Sequence, residues 1–118
     1  MKLTRKNLEL PFAALNGMGY FARQNWKCCQ SCGCAAVPED KPYFVFYHEQ
    51  DSEKRKDGYC YLTWEGNGHE ICEVFKASGF DTEWDGKAET RIKVLARTKR
   101  PLTVDGVIEK AKKNIYRG

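Results

Sequence analysis

With 118 residues, 13.6 kDa and 42% hydrophobic side chains, the chain has the size of one domain and enough apolar surface to bury a core, which excludes two independent domains and an intrinsically disordered segment. Lys and Arg number 20 against 16 Asp and Glu, but seven basic and two acidic residues fall from Ala96 onward, so this tail carries +5 while residues 1–95, with 13 basic and 14 acidic side chains, carry −1. A uniformly basic nucleic-acid-binding surface is thereby excluded, because phosphate contacts need Lys and Arg gathered on one folded face, and only the C-terminal end offers such a patch.

In chain order, Asn7 suits a helix N-cap, and Phe12, Leu15 and Met18 follow at core-facing spacing, with Pro11 near the first turn and Gly17 and Gly19 to stop the helix. From Tyr20 to Cys28 the period becomes two: Tyr20, Ala22, Trp26 and Cys28 share one face and Arg23, Asn25 and Lys27 the other, which predicts a strand. Tyr43–Tyr47 and Tyr59–Trp64 are aromatic and β-branched runs that suit strands, and the charged stretch Asp51–Gly58 between them reads as a solvated hairpin loop. Asn67 and Gly68 open a second helix, with Ile71, Val74 and Phe75 on one side and Ser78-Gly79 as its C-cap. Phe80, Thr82 and Trp84, then Ile92 and Val94 after a turn at Gly86, alternate with charged residues and predict a closing hairpin. Beyond Pro101, Val104, Val107, Ile108, Ala111 and Ile115 recur at helical spacing opposite Lys110, Lys112 and Lys113, the pattern of a basic amphipathic helix.

This order predicts an α+β fold: a single mixed, mostly antiparallel sheet of about five strands, two helices packed on it, and a C-terminal amphipathic helix. The strand-helix-strand step from Tyr59 to Trp84 is expected to pair in parallel through a right-handed crossover. Residues 1–100 form a cysteine-rich α+β domain and 101–118 a basic helix that the fold can spare. No apolar run approaches the roughly 18 residues needed to cross a bilayer, and Met1–Leu10 is too charged for a signal peptide, so the expected setting is the cytoplasm, with no membrane partner.

Four of the six cysteines, Cys28, Cys29, Cys32 and Cys34, fall within seven positions. In a reducing cytosol such crowding points to metal or thiol chemistry rather than to disulfides. Cys29-Gln30-Ser31-Cys32-Gly33 has the shape of a zinc knuckle, in which two thiolates three apart face one ion and the glycine permits the tight turn. The missing ligands are either His69 and Cys72, in a treble-clef arrangement at the start of the second helix, or His48, with Asp51 orienting its imidazole. Cys60 and Cys72 lie on apolar faces and also read as small buried hydrophobes. Trp26, Trp64 and Trp84 read as core and platform residues rather than a base-stacking surface.

Phe12-Ala13-Ala14-Leu15, Ala22-Arg23-Gln24-Asn25-Trp26, Cys28-Cys29-Gln30-Ser31-Cys32-Gly33, Phe46-Tyr47-His48-Glu49-Gln50-Asp51 and Glu83-Trp84-Asp85-Gly86 together resemble a domain of unknown function found in bacterial, notably actinobacterial, proteins. The resemblance covers about residues 12–95 and brings no activity with it. It implies that Cys28, Cys29, Cys32, His48 and Asp51 belong to the family pattern and that Cys34, Cys60, His69 and Cys72 do not, which favours a site built from the knuckle and the strand bearing His48, with or without a metal; if zinc fills it, Cys28, Cys29, Cys32 and His48 are the expected ligands.

Three functions follow in order of expectation. The first is a small cytosolic, non-enzymatic binding or regulatory module with a cysteine-rich structural site, its partner a protein or small ligand. The second is a small thiol or redox enzyme in which Cys29 is activated by His48, with Asp51 or Gln24 orienting the imidazole; a thioredoxin-like version is set aside because no helix is expected to begin at the cysteines. The third is nucleic-acid binding through the basic C-terminal helix.

Overall fold

The computed structural model describes residues 3–27, 30–96 and 103–115. Cys28 and Cys29, two of the expected ligands, and Pro101, the expected break, lie outside them.

The first helix, α1 (Arg5–Gly17), starts earlier than its sequence suggests. Thr4 is extended and its hydroxyl accepts the Asn7 amide at 3.0 Å, so Thr4 and not Asn7 is the cap. Pro11 therefore sits mid-helix, where it is buried with Leu8, Phe12, Ala14 and Leu15. The strand β1 (Phe21–Arg23) has three residues and ends well before Cys28. Asn25 at φ 51° and Lys27 at φ 62° break the alternation, and Trp26 turns to the face of Phe21, against whose ring it packs edge-on at 5.2 Å, rather than to that of Tyr20 and Ala22.

After β1 the chain forms a short helix, α2 (Gln30–Ala36), then β2 (Phe44–Phe46). The charged stretch expected to be a solvated loop is a second short helix, α3 (Glu49–Ser52), continued by a 3-10 turn over Glu53–Asp57 and closed by left-handed Gly58 at φ 92°. Then come β3 (Tyr59–Glu65), α4 (Gly68–Ala77), β4 (Asp81–Glu83), β5 (Ile92–Leu95) and α5 (Val104–Ile115). Asn67 caps α4 by accepting the Glu70 amide at 3.1 Å, as its sequence predicts, and Gly79 follows at φ 98°.

The α+β class holds: one five-stranded sheet in the order β1-β2-β3-β5-β4, parallel only between β1 and β2. The expected parallel pairing of β3 with β4 is not direct. β5 inserts between them, antiparallel to both, because the hairpin return from Gly86 lays it against β3. One face, with Ala22, Val45, Tyr47, Cys60, Leu62, Trp64, Ile92 and Val94, meets α1, α4 and α5 in a single core. Val107 and Ala111 of α5 are fully buried in it, and the helix packs chiefly on α1 and α4. Lys112 and Lys113 are exposed on its other side.

The free edge of β1 is closed by a side chain. Asn16 Oδ1 accepts the Ala22 amide at 3.1 Å and Asn16 Nδ2 donates to the Ala22 carbonyl at 3.0 Å. Among the described residues no helix is long and apolar enough to cross a membrane.

Candidate functional site

The other face of the sheet positions the chemistry. Strand alternation sends Phe46, Tyr61 and Thr63 away from the three-helix core, and Phe46 stands opposite Thr63 in the β2–β3 register. The cysteine-bearing segment is the crossover of the parallel β1–β2 pair and passes over this face. At its start the Trp26 amide donates to the Tyr47 carbonyl and the Glu49 amide to the Lys27 carbonyl, both at 2.9 Å, so Lys27 lies beside the residue that follows His48. Between Cys32 and Cys34, the Gly33 carbonyl accepts Trp26 Nε1 at 3.1 Å. Gly33 presses so closely on Phe46 that a Cβ there would stand 2.5 Å from its ring.

His48 caps α3 and is buried, 5% exposed. Its Nε2 lies 3.1 Å from Asp51 Oδ2, and Asp51, at 2% exposure, also receives Arg91 Nη2 on Oδ2 and has Lys54 Nζ 3.5 Å from Oδ1. Arg91 Nη2 donates as well to the Tyr61 carbonyl, and the guanidinium and the Lys54 ammonium both lie over the Tyr61 ring. A carboxylate beside an imidazole ordinarily raises its pKa. Here burial first, then the Arg91 and Lys54 charges, push His48 below its ordinary value, because Asp51 is already neutralised by those two cations. The neutral tautomer that donates Nε2–H to Asp51 leaves a lone pair on Nδ1, which is buried without a hydrogen-bond partner.

Of the residues expected at the site, the structure brings His48 and Asp51 together. Cys32 and Cys34 lie on α2, in a helix where a knuckle turn was expected, and both are exposed. Two apart on a helix, they point about 200° away from one another. Partial desolvation and the Glu65 carboxylate push the Cys34 thiol up, which disfavours it as a thiolate ligand. Of the treble-clef alternative, Cys29 lies outside the described residues, while His69 packs edge-on against Trp84 at 5.1 Å and Cys72, buried beside Thr82, has its thiol pushed up by burial. Both line a cleft of about 370 Å³ with Glu73, Lys76 and Asp85 between α4 and β4. Cys60 is core packing, its thiol pushed up to about 12 by burial. Gln24 does not orient His48. It accepts the Tyr47 hydroxyl at 2.8 Å and donates to the Arg5 carbonyl. Among the described residues no three His, Cys, Asp or Glu side chains gather to hold a metal ion.

Sequence reasoning missed Arg91, Lys54 and Thr63. Arg91 reads as an outward charge alternating with Ile92, and only the β3–β5 register carries it to Asp51, 40 positions away.

Fold and site together define a small mixed α+β domain in which a buried His48–Asp51 pair is held by half-buried Arg91 beside a cysteine-bearing crossover. The chain belongs to the family described as Domain of unknown function (DUF6891), whose match spans residues 4–101 and so ends before α5. No curated protein and no solved structure matches it.

Proposed function

We propose that this domain is a non-enzymatic binding or regulatory module of the cytoplasm, acting through a protein or small-ligand partner and held by a structural zinc centre of Cys28, Cys29, Cys32 and His48. The observation that carries this reading is His48 itself. One imidazole nitrogen is tied to a buried carboxylate and the other is buried with an unshared lone pair, the arrangement of a metal-ligating histidine with its outer carboxylate. The hydrogen bonds at Lys27 and the packing at Gly33 support it by bringing both ends of the cysteine segment to this face. Four protein ligands leave zinc no open position, which is the structural rather than the catalytic pattern.

Protein purified without chelator is expected to carry about one zinc per chain, with bonds of about 2.3 Å to sulfur and about 2.0 Å to nitrogen by X-ray absorption. Both His48→Ala and Cys32→Ser are expected to lose it. A metal-free wild type that takes up no zinc on titration overturns the reading.

A second reading, thiol or redox chemistry at Cys29 and Cys32, is favoured by α2, which begins at Gln30 directly after Cys29 and removes the ground on which a thioredoxin-like motif was set aside. Its Cys–His version is opposed by the lowered pKa of His48, since a thiolate–imidazolium pair needs the imidazole protonated. Fast alkylation of one cysteine, slowed by His48→Ala, is the result this second reading requires.

A further inference from the structure

A cleft of about 410 Å³ opens between the start of α1 and the 3-10 turn that follows α3, and three cations line it, Arg5, Arg55 and Lys56, against one carboxylate, Glu53. Their neighbour Lys54 is held by Asp51, but among the described residues no ion pair forms at Arg5, Arg55, Lys56 or Glu53. Three positive charges thus converge on one cavity, and the single negative charge beside them pairs with none.

The cavity is built from fixed parts. The Leu3 amide donates to the Arg55 carbonyl at 2.8 Å, which ties the segment before α1 to the turn. Arg55 is half-buried with its guanidinium over the Tyr47 ring; Nε and Nη2 donate to Ser52 Oγ at 3.3 and 3.0 Å, and Nη1 donates to the Leu3 carbonyl at 3.5 Å. These acceptors are neutral, so the charge stays uncompensated, and a guanidinium has more N–H groups than these bonds use. The field of α1 adds to it. Its Thr4 cap lines the same cavity, and its first turn holds Arg5 and Lys6 and no acid, although a helix start favours negative charge. A bound anion removes that conflict.

The volume lies in the range of small-molecule sites, about 300–1,000 Å³, so more than a bare ion has room. A guanidinium fork grips two phosphate oxygens and an ammonium adds a point charge. The lining cations exceed the lining carboxylate by two charges, which matches a phosphate monoester at about −1.5 to −2, whereas a carboxylate ligand balances only one. We propose that this cleft binds the phosphate group of a small phosphorylated molecule between Arg5, Arg55 and Lys56. The site uses neither His48 nor a cysteine, so it stands or falls apart from the zinc reading.

The test is calorimetry and phosphorus NMR on the full-length chain in about 0.15 M salt, where diffuse surface attraction is screened. Inorganic phosphate and glycerol 3-phosphate are the probes. Both are expected to bind saturably at one site, glycerol 3-phosphate the more tightly, and equally well after chelator treatment. Arg5, Glu53 and Lys56 are exposed, so their variants keep the wild-type melting temperature. Arg5→Gln and Lys56→Gln are each expected to weaken glycerol 3-phosphate about 10-fold, and Glu53→Gln, of opposite charge change, to tighten it. Absence of saturable binding overturns the proposal, as does unchanged affinity in both Arg5→Gln and Lys56→Gln. Inorganic phosphate binding as tightly as glycerol 3-phosphate overturns the phosphorylated molecule as the ligand.

Discussion

Gly33 is the residue on which the seating of the cysteine helix turns. Any Cβ there collides with the Phe46 ring, itself fully buried, so the helix or the ring has to move. Gly33→Ala is expected to lower stability by about 1–3 kcal/mol in denaturant titrations and to reduce zinc retention in parallel; an unchanged midpoint would mean that α2 floats free of the sheet. His48 gives a second residue-scale prediction. Its folded pKa lies below the ordinary 6.5, so under acid the unfolded chain takes up a proton before the native one does. The groups facing it are Asp51, Arg91 and Lys54, and the two cations outweigh the single carboxylate. In chelated protein the stabilisation from neutral His48 is therefore complete above about pH 6.5 and lost as the pH falls through the interval below it. Melting curves from pH 8 to about 5 should show that slope in wild type and a shallower one in His48→Gln. Equal slopes would assign the acid sensitivity elsewhere.

Among the elements, those with a long periodic stretch and a recognisable cap were legible in the sequence. The second helix is the clearest: Asn67 caps it, Ile71, Val74 and Phe75 share its buried face, and Gly79 ends it. Asn67→Ala should cost about 1 kcal/mol, measured as a shift in denaturant midpoint, through loss of the acceptor for the Glu70 amide. The element around Trp26 was not legible, because left-handed Asn25 and Lys27 end the two-residue period without any glycine to announce it. Nor was α3, since Glu49–Ser52 and the turn after it are charged as a solvated loop would be, and Asp51 is buried only because Arg91 and Lys54 arrive to neutralise it. His48 and Asp51 were readable as candidates from their residue types and spacing. Their third partner was not, since pairing across β3 and β5 is a tertiary fact.

For the whole molecule, α5 raises the question of where the domain ends. The family match stops at residue 101, yet Val107 and Ala111 are fully buried and Ile108 packs close to Gly17 of α1. Removing α5 exposes these contacts on α1 and α4 and should cost on the order of 3–5 kcal/mol, a large part of a typical domain's stability. The chain truncated after Arg100 is expected to unfold cooperatively at a clearly lower midpoint. A midpoint equal to the full chain would make α5 an appendage, and a truncated chain with no transition would make it indispensable to the core.

Asn16 has a consequence that reaches beyond one molecule. A strand at the rim of a sheet offers its unpaired amides and carbonyls to any other chain that arrives extended, and this is a common route to aggregation. In β1 both outward groups of Ala22 are already taken by the Asn16 amide, which stands in for a neighbouring strand one residue long. Asn16→Val leaves α1 able to form but reopens that rim. The variant is expected to associate in a concentration-dependent way by light scattering more readily than wild type, so one side chain on a helix guards the β1 rim of this sheet against a second copy.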